Sequence, residues 1–230
     1  ALYLYDTNGT WADLDDDTYT IIDQVEGWIE RITFYGDYIT WLDTTDWYSC
    51  SPMTLKVYDL VSESTSVISN QIADFIYSRA NNTVVYQFNG AYGRDIALYQ
   101  LDTEQNTIIC SAQGTQRNPH IRNNIVVWED LRDSPSRRDI YMYNITSQTE
   151  TKIAENATNL PYTNGTYIIY ENTSGVQKYH IPTASTSLVS NSARTMSYAY
   201  PPEMNVNESY IVLLGSTLRL YNLNTSQTIV

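Results

Sequence analysis

The chain has 230 residues and a mass of 26.3 kDa, enough to bury a core without metals or several disulfides and a tight fit for two domains. Thirteen basic against twenty-six acidic side chains leave a net charge of −13 and a pI near 4.4, which argues against a protein that grips nucleic acid or an anionic membrane. No apolar run approaches the roughly 18 residues of a membrane span, so no membrane insertion is expected.

Tyrosine supplies 21 residues and only 17% of the chain is charged, a profile that favours strands and polar turns over helices. The expected class is all-β. In chain order, a short strand ending in Tyr recurs at Leu2–Tyr5, Leu55–Tyr58, Ile96–Tyr99, Ile140–Tyr143, Val176–Tyr179 and Leu218–Tyr221. Its final Tyr advances by 53, 41, 44, 36 and 42 residues. A more apolar strand precedes each copy but the first: Ile39–Trp41, Val84–Tyr86, Val126–Trp128, Ile168–Tyr170 and Ile211–Leu213. Continuous apolar character predicts burial on both faces. A further strand lies before each pair, as at Arg31–Tyr35 and Asp74–Tyr77, and another after it, as at Thr65–Ser69 and Asn106–Cys110. Four strands in about 42 residues make the blade of a β-propeller. Turn-forming pairs such as Gly36-Asp37, Asn81-Asn82, Asn123-Asn124 and Asn164-Gly165 fall between first and second strands. The blades are expected at about 27–70, 71–113, 114–156, 157–191 and 192–230.

The third unit carries Trp128-Glu129-Asp130-Leu131-Arg132-Asp133 and then Arg138-Asp139-Ile140-Tyr141-Met142-Tyr143-Asn144. This resembles the W-x-D-x-R-N-G…D-I-Y-x-Y-N blade of TolB-like propellers in archaeal and bacterial cell-surface proteins. Arg94-Asp95-Ile96-Ala97-Leu98-Tyr99 in unit two keeps part of it. The resemblance implies a propeller fold and a surface location, and says little about activity.

Residues 1–26 form a half blade, with the third-strand signature Leu2–Tyr5 and a strand near Thr18–Asp23. This hairpin can pack outside its own ring, complete an irregular sixth blade, or add to a strand edge of a neighbouring copy as the start of a homopolymer.

Eight Asn-x-Ser/Thr acceptor sites begin at Asn8, Asn81, Asn144, Asn156, Asn164, Asn172, Asn207 and Asn224, against about four expected by chance from this composition. The excess points to N-linked glycans and an extracellular or cell-surface protein. Because the chain begins with Ala1 and has no charged-then-apolar leader, a secreted and processed chain is expected. In a four-stranded meander the turns after strands one and three share a side. Asn81, Asn164 and Asn207 fall in the first kind and Asn8, Asn144 and Asn224 in the second. Asn156 and Asn172 are expected on the other side, with the longer loops Asp43–Met53 (holding Trp47 and Tyr48), Phe88–Arg94 and Glu129–Arg138. Ion pairing between blades is the expected role of Arg132 and Asp139.

Cys50 and Cys110 should emerge on the same side of adjacent blades, and in an extracellular chain an even cysteine count predicts a disulfide between them. His120 and His180 are sixty residues apart and lack a metal-ligand pattern. Asp13, Asp15 and Asp17 are the one candidate Ca²⁺ cluster, without the Gly and terminal Glu of a calcium loop; no other cofactor is expected. Five-bladed propellers include glycoside hydrolases with channel carboxylates, for which Glu30, Asp74 and Glu203 are scattered candidates. The expected function is a non-catalytic, glycosylated structural or adhesive module of a surface, sheath or filament. The alternatives are a lectin or glycosidase, and a propeller docking a protein partner.

Overall fold

The apolar second strands each become an inner strand of an antiparallel meander, because a run with no polar face must be covered twice. The structure, a computed structural model, describes residues 1–6, 18–24, 27–45, 53–191, 194–195, 209–214 and 218–229. Among them every regular element is a strand except the three-residue 3-10 turn Ile181–Thr183. The chain divides into two compact units, Ala1–Phe75 and Ile76–Val230.

In the first unit, β1 (Leu2–Asp6) and β2 (Thr18–Asp23) form a two-stranded antiparallel sheet. β3 (Trp28–Tyr35), β4 (Tyr38–Thr44), β5 (Met53–Asp59) and β6 (Ser64–Ala80) pair in sequence. The hairpin packs on its own chain: Ile22, with Leu2 and Leu4, joins Ile39, Trp41 and Tyr58 in one core. Polar ties fix its seat. Asp23 accepts from Trp41 Nε1 at 3.2 Å and from Lys56 Nζ at 2.8 Å, and Thr65 Oγ1 donates to the Ile22 carbonyl at 2.7 Å. Strand β6 runs 17 residues and joins what the sequence suggests are two strands, Thr65–Ser69 and Asp74–Tyr77. The intervening Asn70-Gln71-Ile72-Ala73 holds no Gly or Pro to interrupt it.

The second unit opens with β7 (Thr83–Asn89), β8 (Arg94–Gln100) and β9 (Gln105–Cys110). Three four-stranded meanders follow: β10 (Gln116–Arg122) to β13 (Thr149–Ala154) through β11 (Ile125–Asp130) and β12 (Asp139–Asn144); β14 (Asn159–Thr163) to β17 (Ser185–Ser190) through β15 (Tyr167–Asn172) and β16 (Gly175–His180); and β18 (Arg194–Thr195) to β21 (Gln227–Ile229) through β19 (Tyr210–Leu214) and β20 (Leu218–Asn222). Alternate residues of β11 go to opposite interfaces. Val126 and Trp128 meet Val85, Ile96 and Cys110 of the preceding sheet, whereas Ile125 and Val127 meet Ile168 and Tyr170 of the following one. Ile169 then joins Ile211, Leu213, Tyr221 and Leu223. Each such aliphatic burial contributes roughly 1.5–3 kcal/mol.

A single turn geometry recurs five times. Five residues beyond the repeat Tyr, the backbone turns left-handed at Glu63, Glu104, Gln148, Ala184 and Ser226, with φ between 49° and 56°. Two residues beyond the same Tyr, an amide donates to the turn between strands one and two: Leu60 to Asp37, Leu101 to Asn82, Ile145 to Asn124, Ile181 to Thr166 and Leu223 to Ser209, at 2.8–3.0 Å. The residue after Tyr starts the turn where it is Asp or Asn. Asp59, Asn144 and Asn222 each accept main-chain N–H groups through Oδ1. The first strands share a second device, a bulge at residues 31–32, 118–119 and 160–161. Pro119 and Pro161 sit in these bulges on edge strands, where a missing donor costs no ladder bond.

His120 on β10 is buried and accepts the Thr163 amide through Nδ1 at 3.3 Å, with Tyr162 edge-on at 5.7 Å. Burial, helped by Arg122, lowers its pKa from 6.5 to about 4. The folded protein therefore holds it neutral where the unfolded chain binds a proton. This stability is complete above about pH 6.5 and is lost as the pH falls toward 4. Replacing His120→Asn keeps an acceptor and removes the titration. The urea midpoint of that variant should fall less between pH 7 and pH 4 than that of the parent, by an amount equivalent to roughly 3 kcal/mol; parallel pH profiles would exclude His120 as the group responsible.

Candidate functional site

The motif-bearing loop after β11 is held by aromatic and ionic contacts within its own sheet. Trp128 Nε1 donates to Asp130 Oδ2 at 3.0 Å, and Asp130 Oδ1 accepts the Arg132 amide at 2.9 Å. Arg132 Nη2 returns to Asp130 Oδ2 at 2.7 Å while Nη1 reaches Glu150 Oε1 at 2.7 Å. Its guanidinium lies 4.0 Å from the centroid of the Tyr141 ring, which is itself stacked on Trp128. Burial opposes the Arg132 charge, but the Asp130 and Glu150 carboxylates outweigh it and raise its pKa further. A second knot surrounds buried Asp139, which takes Arg137 at 3.1 Å and Lys152 at 2.9 Å and accepts the Asn156 amide. The ionic partners of Arg132 and Asp139 thus belong to one sheet and its loops, not to neighbouring blades as expected. The loop reaches β13, where Glu150 pairs with Arg132 and Lys152 with Asp133 and Asp139. Arg132 Nη2 also contacts Cys110 Sγ of the preceding sheet at 3.1 Å.

On the inner side, Glu129 is completely buried. Its Oε2 accepts from Arg117 Nε and Asn118 Nδ2, both at 2.9 Å, and Arg138 Nη1 lies 3.6 Å from Oε1, which takes no hydrogen bond. The Asn118 amide, at the bulge, donates to Gln87 Oε1 at 3.0 Å. Glu171 occupies the corresponding place on β15 and is also buried. Glu129 and Glu171 lie on second strands, not among the scattered carboxylates Glu30, Asp74 and Glu203 that the sequence suggests. Their signal is the position after the second-strand aromatic, filled in turn by Leu42, Gln87, Glu129 and Glu171. Of the expected carboxylates, Glu30 is half-buried on β3, Asp74 lies on β6, and Glu203 lies outside the described residues.

The acceptor asparagines separate by exposure. Asn81, Asn156 and Asn224 are exposed, and Asn144 and Asn172 half-buried. Asn164 is 6% exposed and its Oδ1 accepts the Thr166 and Tyr167 amides at 3.0 and 2.7 Å. Asn8 and Asn207 lie outside the described residues. The recurring amide bond between turns puts Asn81, Asn144, Asn164 and Asn224 beside strand-one/strand-two and strand-three/strand-four turns, while Asn156 and Asn172 occupy the other kind of connection. Cys110 is a buried free thiol whose pKa burial pushes up to about 12; Cys50, its expected partner, lies outside the described residues, as do Trp47, Tyr48 and the Asp13, Asp15, Asp17 cluster. Among the described residues no group of three potential metal ligands occurs. The outer face of the β1–β2 hairpin presents Tyr3 and Ile21 as one cross-strand pair and Tyr5 and Tyr19 as another, all between 44% and 69% exposed.

Repeated antiparallel meanders stacked through two-faced second strands define a β-propeller. No protein-family model matches the chain, and no curated protein sequence does. Among solved structures, the chain is similar to the β-propeller domain of the Trilobed protease from Pyrococcus furiosus, described as having an open velcro topology. Identity is 8%, the TM-score is 0.60, and the match covers 88% of this chain and 69% of that one. It is similar also to an oligogalacturonate lyase in complex with manganese, at 12% identity and TM-score 0.56, over 84% of this chain and 61% of that one. TolB from Acinetobacter baumannii matches at 11% identity and TM-score 0.49, over 84% of this chain and 50% of that chain, so this chain spans half of TolB's length. The fold is a β-propeller.

If the Trp128–Asp130–Arg132–Tyr141 clamp holds the loop, Asp130→Ala should cost about 3 kcal/mol, since it strands a partly buried guanidinium and the indole N–H. Arg132→Lys should cost less, because the charge survives and only the planar fork is lost. Urea midpoints of both variants give the comparison; an Asp130→Ala midpoint equal to the parent's would leave the clamp without a structural role.

Proposed function

We propose that this propeller is a non-catalytic, N-glycosylated structural or adhesive module of the cell exterior, and that it self-associates through its N-terminal hairpin. The observation that carries the reading is the two-sidedness of that hairpin. Its inner face is anchored by Ile22, Leu2, Leu4 and the Asp23 contacts, while its outer face offers tyrosines and Ile21 to solvent. A rigidly seated sheet with a contiguous exposed apolar face fits an interaction surface better than a mobile tail does. The commitment of Arg132, Arg137 and Lys152 to carboxylates of their own sheet also fits a scaffold. In sedimentation velocity, the parent chain should form concentration-dependent oligomers, and Tyr3→Ser with Tyr19→Ser should shift it to monomer with its circular dichroism unchanged.

The glycan reading has its own test. Expressed in a glycosylating host, the chain should carry sugar at exposed Asn81, Asn156 and Asn224, and little or none at Asn164, whose side chain is enclosed and hydrogen-bonded. Glycopeptide mass spectrometry reads occupancy site by site; unmodified Asn81, Asn156 and Asn224 would count against the proposal.

A second reading, a saccharide-binding or saccharide-cleaving propeller, is favoured by one observation only, the buried Glu129 with a spare oxygen. Saccharide hydrolysis or binding by the parent chain that disappears in Glu129→Gln would replace the first reading with this one.

A further inference from the structure

We infer that Glu129, Arg117 and Arg138 form a binding site for a sugar acid, a hydroxyl of the sugar donating to Glu129 and its carboxylate pairing with the two guanidinium groups. This rests on the saccharide-binding reading above and names the class of saccharide, with binding and not cleavage as the event.

The fold does not require a carboxylate at this place. The corresponding position is Leu42 on β4 and Gln87 on β7, both fully buried, so an apolar or a neutral side chain fills it in the preceding repeats. Glu129 is equally buried, yet it carries a charge and commits only one of its oxygens. Oε2 takes Arg117 Nε and Asn118 Nδ2, both at 2.9 Å, whereas Oε1 takes no hydrogen bond. A buried carboxylate oxygen without a donor is costly, and a ligand that brings a donor removes the cost. The group that aims Glu129 is itself fixed. Asn118 is left-handed, at φ 57°, in the bulge of β10, and its amide is held by Gln87 Oε1 at 3.0 Å.

The rim of the site is cationic. Among the described residues, Arg117 commits only Nε to a carboxylate, and Arg138 makes a single ion pair, 3.6 Å long. Their side chains are 27% and 43% exposed. The Arg138 main chain is anchored, its carbonyl accepting the Ala157 amide at 2.7 Å, so the side chain alone turns toward a ligand. Two guanidinium groups against one carboxylate leave one positive charge, which matches a monoanionic carboxylate and is exceeded by a phosphate dianion. The donor that reaches Oε1 is a neutral hydroxyl, because an ammonium would enter a place that already holds two cations. A hydroxyl together with a carboxylate is the chemistry of a sugar acid. Residues 76–230 hold eleven basic and twelve acidic side chains, so the compact unit that carries the site is nearly neutral and repels an anion little.

Glucuronate and glucose, which differ only in a carboxylate replacing a hydroxymethyl group, are the matched probes, titrated into the full chain by calorimetry. The parent should bind glucuronate at least roughly tenfold more tightly than glucose. Arg138→Gln should abolish that preference and leave the glucose affinity unchanged, and Glu129→Gln should weaken both sugars. The Arg138 side chain is exposed enough for its variant to keep the parent's circular dichroism and urea midpoint, so it decides the outcome even where Glu129→Gln fails to fold. Equal affinity for the two sugars, lost in Glu129→Gln, would leave a saccharide site and overturn the acid class. Glucuronate affinity unchanged in Arg138→Gln would overturn the site. Binding of neither sugar would overturn both this inference and the saccharide reading on which it rests.

Discussion

A strand that is apolar on both faces can be stable only if each face is covered by another sheet, and that requirement organises this protein. Val126 and Trp128 look one way from β11, Ile125 and Val127 the other, and each set is completed by side chains from an adjacent meander. No meander of the second unit could be removed without uncovering its neighbours. The hairpin tyrosines and the Leu220–Ile229 pair, by contrast, remain exposed.

The second constraint is local. In five of the repeats, the Tyr-terminated strand ends in the same turn, closed by one amide bond to the neighbouring turn and one left-handed residue. The residues that take the left-handed conformation are Glu63, Glu104, Gln148, Ala184 and Ser226, none of them Gly or Asn. A non-glycine residue pays a penalty there, so the geometry is imposed by the register of the flanking strands and not by the turn's own preference. Elsewhere the backbone does depend on glycine. Gly93, at φ 146°, approaches the Gly114 carbonyl so closely that a Cβ would collide with it.

Charge is distributed to suit this architecture. In the second unit the acidic and basic residues nearly balance, and the charged side chains of the third repeat are tied to one another around Asp130 and Asp139. The Trp128–Asp130–Arg132 motif is thereby explained as a structural device: Asp130 joins the indole of Trp128 to the guanidinium of Arg132, and Tyr141 stacks between them. The first unit carries almost all of the net negative charge, −12 of −13.

Periodicity alone pointed to an all-β propeller and to the order of its strands, because two registers of about 42 residues are properties of the residue order itself; it did not show that β6 runs unbroken through two of the expected strands. The sides of the acceptor asparagines followed from the same meander logic, and the inter-turn amide bonds agree with it. Which face of the hairpin packs, which acceptor is enclosed, and which ion pairs form were decided only in three dimensions. Asn164 and Asn81 carry the same acceptor pattern in corresponding turns, yet one is buried by its surroundings and the other is not. Arg132 could be expected to reach another blade until the loop's fold brought Glu150 within 2.7 Å. Burial and pairing depend on contacts between residues distant in sequence, and no local pattern encodes the distance between them.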